Sequence, residues 1–135
     1  MLMSVEKVWY IDSSAIVKLV AREPESIALR RFVQRRRPLV ASALVRTEVT
    51  RAVLSLGDPF LRRVTQVLNR IDLVRINNQV LGDAGLLEPP GIRSLDAIHL
   101  ATAALFEDTL SAVITYDGPM TDAARLFGWK VSAPT

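Results

Sequence analysis

The sequence predicts an α/β fold in which a mainly parallel sheet of four to five strands is covered by helices on both sides. Short apolar runs alternate along the chain with longer amphipathic stretches, an order typical of parallel sheets. The chain has 135 residues, half of them hydrophobic, which is enough to fill one core of ordinary size. It has no internal repeat, low-complexity segment or linker, so we expect a single domain over residues 1–135.

The strands are predicted from short runs of apolar, aromatic and β-branched residues. The first of these runs is Val8-Trp9-Tyr10-Ile11, and it stops directly on an acid, Asp12. The predicted strands are residues 8–11, 39–41, 73–76 and 112–116, and residues 129–132 can add a fifth strand at an edge.

The helices are predicted from apolar residues at helical spacing and from their start and stop signals. Ser42 and Ser94 are placed as caps, Pro24 fits the first turn of the second helix, and Gly128 ends the last helix. The predicted helices are residues 13–21, 24 to the arginine cluster, 42–56, 60–71, 79–87, 94–107 and 121–127.

Composition excludes several kinds of site. With no cysteine and a single histidine, the chain cannot form a disulfide, a thiolate site or a histidine-rich zinc site. No apolar run approaches the roughly 18 residues that a membrane span needs. The N-terminus lacks the basic and apolar pattern of a signal peptide. We therefore expect a cytoplasmic protein with no membrane partner.

The net charge of +3 comes from an excess of arginine, which suits contacts to phosphate groups. Five arginines cluster at positions 30, 31, 35, 36 and 37, late in the predicted second helix. The cluster can contact RNA, or it can form a solvated face at the end of the helix.

Four acids lie where predicted elements begin or end. Asp12 and Asp117 follow the first and fourth strands, whereas Glu48 and Asp96 lie in the first turns of two helices. In parallel sheets, sites form at the carboxyl ends of the strands. Four carboxylates at one such edge repel one another unless a cation lies among them. An all-oxygen ligand set favours Mg²⁺ or Mn²⁺, which suits phosphodiester hydrolysis. Ser13 and Thr115 can orient the carboxylates as outer partners.

Each acid also has a purely structural interpretation. Asp12 can cap a helix, Asp96 suits the dipole of its first helical turn, and Asp117 before Gly-Pro is a good turn residue. Glu48 can pair with Arg46 or Arg51 on a solvated face. Spacing alone is therefore a weak signal.

Four segments together resemble a known family. "YIDSSAIVKL", "SALVRTEVTRAV", "SLDAIHLATA" and "VITYDGPM" are similar, in order, to the signature segments of PIN-domain ribonucleases, above all the VapC-type toxins. The resemblance covers about residues 8 to 132. The matching acids are Asp12, Glu48, Asp96 and Asp117, and Ser13 and Thr115 match small hydroxyl positions beside them. Asp122 is the candidate for a further acid, or it is a solvated helix residue.

The resemblance implies a three-layer α/β/α PIN-like domain and a Mg²⁺- or Mn²⁺-dependent endoribonuclease. It assigns catalysis and metal binding to the four matching acids. It also implies a homodimer and a VapB-type antitoxin that neutralises the toxin and binds operator DNA. One departure concerns the Gly-Pro-Met that follows Asp117, because many relatives have polar or basic residues there.

Other interpretations stay open. The same fold can be a catalytically inactive module that binds RNA or protein. A nucleotide-binding domain is disfavoured because the chain has no glycine-rich phosphate loop. His99, one helical turn after Asp96, can serve as a general base, or it can pack in the helix and hydrogen-bond a carboxylate.

Overall fold

A central parallel sheet organises the chain, in agreement with the predicted fold class. The computed structural model describes residues 6–135, so the first five positions of the predicted domain lie outside the described residues. The strands are Val8–Ile11 (β1), Leu39–Ser42 (β2), Asp72–Val74 (β3), Leu110–Ile114 (β4) and Val131–Ser132 (β5). Their order in the sheet is β3-β2-β1-β4-β5, and every pairing is parallel.

Helices form a layer on each face of this sheet. Within residues 6–135 they are Ser13–Val20 (α1), Ser26–Gln34 (α2), Val45–Val53 (α3), Asp58–Leu68 (α4), Asn78–Gly85 (α5), Ser94–Ala104 (α6) and Gly118–Leu126 (α7). A short 3-10 helix, Leu54–Leu56, follows α3. The predicted three-layer arrangement is confirmed.

Alternation along the strands assigns each face its own core. Ile11 and Ile114 face one apolar cluster, which α1 to α4 complete. Their neighbours Tyr10 and Val113 face the other cluster, to which α6 and α7 contribute. This is the two-residue period of a strand buried on both sides. It explains why the central strand β1, Val8–Ile11, is apolar or aromatic without interruption.

The direction of strand addition reverses at β1. The chain passes from β1 to β2 and β3 on one side, and then crosses to β4 and β5 on the other side. The carboxyl ends of β1 and β4 therefore flank the point where strand order switches. In open parallel sheets this is the usual place for a ligand crevice.

The largest differences from the predicted elements concern two caps and one strand. Ser42 is the last residue of β2, and Ser94 is the first residue of α6, whose cap is Arg93, so neither serine is the helix cap that was predicted. Pro24 lies in a turn before α2 and not in its first turn. The fourth strand runs from Leu110 to Ile114, so Thr115 and Tyr116 follow it. Among residues 6–135, no helix combines the length and the apolar character required to cross a membrane.

Candidate active site

Two of the predicted acids emerge side by side from the middle of the sheet. β1 and β4 are parallel neighbours with Ile11 opposite Ile114, so the residues that follow them reach the same edge. Asp12 caps α1 and accepts a hydrogen bond from the backbone amide of Ala15 at 3.1 Å. Asp117 caps α7 and accepts one from Met120 at 2.9 Å. Both acids are thus helix caps and also lie at the switch point.

The other two acids are delivered by helices. Glu48 lies in the first turn of α3, and Asp96 lies in the first turn of α6. Neither Arg46 nor Arg51 forms an ion pair with Glu48 among the described residues. The solvated-face interpretation of Glu48 therefore does not describe this structure.

All four acids line one cavity of about 320 Å³. The other residues that line it are Ser13, Ser14, Arg93, Ser94, Leu95 and His99. The structure therefore brings together segments that are separated by up to about a hundred positions in the chain. The cavity opens at the carboxyl edge of the sheet, with four carboxylates and one guanidinium along its walls.

Asp12 is the most deeply placed of the four carboxylates, with 3 % of its surface exposed. Its burial raises the pKa of the Asp12 carboxyl, and hydrogen bonds from Thr115, Ser14 and the amide of Ala15 oppose that shift. Thr115 Oγ1 donates to Oδ2 at 2.5 Å, and Ser14 Oγ donates to Oδ1 at 2.7 Å. Hydroxyls and an amide thus hold the carboxylate, and no cation among the described residues pairs with it.

Glu48 is held by a buried chain of hydrogen bonds. The backbone amide of Ser42 donates to Tyr10 Oη at 3.1 Å, and Tyr10 Oη lies 2.6 Å from His99 Nδ1. His99 Nε2 in turn lies 2.7 Å from Glu48 Oε1. Burial raises the pKa of the Tyr10 hydroxyl well above its ordinary value, so this group stays protonated and can donate to Nδ1. The ring tautomer that matches both contacts has Nδ1 as the acceptor and Nε2–H as the donor to Glu48.

Arg93 is a site residue that the sequence reasoning missed. Its guanidinium Nη2 lies 2.7 Å from Asp96 Oδ2 and 3.2 Å from Asp117 Oδ2. The hydrogen bond with Asp96 is the main cause that raises the pKa of Arg93. The spacing of three residues between Arg93 and Asp96, at the start of a predicted helix, is the one sequence signal that could have indicated this pair.

Of the residues predicted to lie beside the four acids, only Thr115 hydrogen-bonds one of their carboxylates within the described part of the chain. Thr115 links two acids, because it donates to Asp12 and accepts from the amide of Asp117 at 3.1 Å. The serine that binds Asp12 is Ser14 and not Ser13, which lines the cavity without a hydrogen bond to a carboxylate among residues 6–135. Asp122 is exposed on α7 and lines a neighbouring groove, outside the cavity that holds the other four acids.

The residues of this cavity fit a hard divalent cation in kind. Their donors are carboxylate and hydroxyl oxygens, which Mg²⁺ and Mn²⁺ prefer. The guanidinium of Arg93 already places one positive charge between two of the acids. Within residues 6–135, however, no three side chains of Asp, Glu, His or Cys lie close enough together in this conformation to coordinate one ion. An ion held here therefore requires these side chains to draw together.

The arginine cluster lies away from this cavity. Arg30 and Arg37 line a second cavity of about 120 Å³, together with Arg63 of α4 and Arg70, which follows that helix. Leu39 and Ile71 are also in its lining; Leu39 is the first residue of β2, and Ile71 directly precedes β3. Because the strands are parallel, this second cavity lies at the opposite edge of the sheet. A role of the cluster in RNA contact stays a prediction.

Comparison with known sequences adds to this geometry. The profile of the family described as PIN domain matches residues 9–126. Ribonuclease VapC46 of Mycobacterium tuberculosis (strain ATCC 25618 / H37Rv) is 50% identical over 126 residues, which cover 93% of this chain and 97% of the relative. Ribonuclease VapC35 of Mycobacterium tuberculosis (strain CDC 1551 / Oshkosh) is 38% identical over 129 residues, 93% of this chain and 96% of the relative.

Solved structures agree on the fold. A toxin-antitoxin complex from Klebsiella pneumoniae superposes with a TM-score of 0.71 at 21% identity, over 93% of this chain and 97% of the other. Mycobacterium tuberculosis VapC20, described as a Sarcin-Ricin loop cleaving toxin, gives a TM-score of 0.69 at 13% identity, over 85% and 94%.

Proposed function

This chain belongs to the PIN-domain family, and we propose that it is an endoribonuclease of the VapC toxin type that hydrolyses RNA with a Mg²⁺ or Mn²⁺ ion. One observation carries the proposal: four carboxylates from four separate segments line one cavity at the switch point of the sheet. Such a cluster in a basic chain suits a cationic cofactor and a polyanionic substrate.

In this proposal Asp12, Glu48, Asp96 and Asp117 hold the ion. A divalent cation held there would supply positive charge to a phosphate oxygen of the RNA and would make water a better nucleophile. Thr115 and Ser14 fix the carboxylate of Asp12, and His99 fixes that of Glu48. These outer hydrogen bonds set the direction in which the oxygens face the cavity.

The environment of the single histidine favours hydrolysis by water over attack by the 2′-hydroxyl of the RNA. In-line attack by water breaks the bond between phosphorus and the 3′ oxygen, and leaves a 5′-phosphate and a 3′-hydroxyl. Attack by the RNA 2′-hydroxyl instead needs a pair of acid and base groups. His99 is 2 % exposed, and both of its ring nitrogens are engaged, with Tyr10 and Glu48. It is therefore unsuited to that role.

The partners of the chain form part of the same proposal. We expect a VapB-type antitoxin that neutralises the enzyme, a homodimer, and contact with operator DNA only through the antitoxin. The similarity in fold to the toxin-antitoxin complex from Klebsiella pneumoniae supports the antitoxin. Leu86 and Leu126 are 83% and 69% exposed and offer apolar contact positions for either protein partner. Because its proposed substrate is cellular RNA, we expect this enzyme to act in the cytoplasm.

Cleavage of RNA by the purified chain tests the proposal. We expect cleavage with Mg²⁺ or Mn²⁺, none in excess EDTA, and recovery when the ion is restored. Sequencing of the cleaved ends is expected to give 5′-phosphates and 3′-hydroxyls. Full cleavage in EDTA, or ends that carry a 2′,3′-cyclic phosphate, would overturn the mechanism. If the chain binds the ion and RNA but cleaves none of a total cellular RNA sample, the inactive binding module is the better description.

A further inference from the structure

Arg93 occupies a position between two of the acids assigned to the ion. It is the residue directly before α6, and its side chain is 62% exposed. The Nε atom donates to Asp96 Oδ2 at 2.8 Å, and Nη2 reaches both Asp96 and Asp117. One guanidinium therefore joins a helix on one side of the cavity to the cap of α7 on the other.

The oxygens that Arg93 occupies are those that an ion would need. Both of its ion pairs go to Oδ2 atoms, and Asp117 Oδ2 also accepts from the amide of Met120. A divalent ion bound to Asp96 and Asp117 and a guanidinium bound to the same atoms exclude each other, by geometry and by like-charge repulsion.

Arg93 is also placed so that it can leave. Exposed ion pairs contribute little free energy, and the Arg93 side chain is already 62% exposed to the solvent into which it would turn. Asp12 and Glu48, in contrast, are held by buried partners. The Arg93 bridge is therefore the weakest link among the contacts that hold the four acids.

We propose that Arg93 is a built-in counter-ion, which pairs Asp96 with Asp117 in the ion-free protein and is displaced when a divalent ion binds. This inference rests on the proposed function, because it takes the four acids as the ion's ligands. Its consequence is that the chain carries its own competitor for the ion. Arg93 lowers the apparent affinity for the ion while it stabilises the ion-free fold.

Titration of Mn²⁺ into the purified protein by calorimetry tests this role without a cleavage assay. We expect Arg93→Gln to bind Mn²⁺ about twofold to fivefold more tightly than the wild type, the range that an exposed ion pair supports. In EDTA the same variant is expected to melt at a lower temperature, because the acids then lack their counter-ion. Arg93→Lys keeps the charge and is expected to bind Mn²⁺ more weakly than Arg93→Gln.

Arg62→Gln is the matched control. Arg62 is exposed on α4 and forms no ion pair among the described residues, so the variant makes the same change in net charge away from the cavity. Its Mn²⁺ affinity is expected to equal that of the wild type. An Arg93→Gln affinity that is unchanged or weaker overturns this inference and leaves the proposed function in place. A wild type that binds no Mn²⁺ overturns both.

Discussion

Replacement of Asp12 by Asn is expected to reduce RNA cleavage by more than about 100-fold. Loss of an outer partner of a metal ligand alone typically costs 10- to 100-fold, and Asp12 is proposed as a direct ligand. The amide oxygen of Asn can still accept from Ser14 and from the amide of Ala15, as Asp12 Oδ1 does. Its NH₂ group can donate to Thr115, whose hydroxyl then turns away. The cap of α1 therefore survives while the negative charge is lost.

Cleavage rates of matched variants measure this effect. Asp96→Asn is expected to behave like Asp12→Asn. Asp108 lies on an exposed turn before β4, at the edge of the sheet opposite the cavity, so Asp108→Asn is expected to cleave like the wild type. Circular dichroism checks that each variant is folded. If folded Asp12→Asn and Asp96→Asn proteins keep wild-type rates, these carboxylates do not carry the reaction.

Replacement of His99 by Ala is expected to lower the free energy of unfolding by about 2–4 kcal/mol, the range for a buried group lost together with the hydrogen bonds of its partners. The ring is 2 % exposed and connects Tyr10 Oη with Glu48 Oε1. Its removal leaves the buried Tyr10 hydroxyl without an acceptor and opens a cavity beneath α6. Urea denaturation in EDTA measures this change apart from any ion.

A double-mutant cycle separates the hydrogen-bonded chain from simple packing. Tyr10→Phe alone leaves the Ser42 amide and His99 Nδ1 without their hydrogen-bond partner, so we expect the free energy of unfolding to fall by about 1–3 kcal/mol. The double variant Tyr10→Phe/His99→Leu is expected to lose less free energy of unfolding than the sum of the losses of the two single variants, because the Tyr10 hydroxyl and the His99 ring are then both absent. Strict additivity, or a His99→Ala variant as stable as the wild type, would contradict this account of how Glu48 is held.

The sequence was sufficient to predict the centre of the sheet because β1 and β2 are buried on both faces. Uninterrupted apolar runs such as residues 8–11 cannot be mistaken for half-exposed strands, and the acids after them mark the carboxyl edge. α6 was harder to predict from periodicity, because His99, Leu100, Ala101, Thr102 and Ala103 are all buried and no polar face alternates with them. Its start was predicted from Ser94 and the preceding prolines, whereas its end at Ala104 comes three residues before the predicted one.

Contacts between distant segments could not be read from the sequence. Tyr10 and His99 are 89 positions apart, and Glu48 and His99 are 51 apart, so nothing local indicates that they touch. Arg93 was missed because its second partner, Asp117, lies 24 positions away on another element. Ser42 was placed as a helix cap because a serine before an apolar stretch favours that role, but pairing with β3 extends the strand through it.

The most direct test of the central claim is a crystal structure of the protein soaked with Mn²⁺, measured for anomalous scattering. The four carboxylates that line the cavity are proposed to hold one hard cation. We expect an anomalous peak within coordination distance of Asp12 and Asp96, with the Arg93 guanidinium turned away from Asp96 and Asp117. A saturating soak that gives no peak in this cavity, or a peak only elsewhere on the surface, would contradict the account.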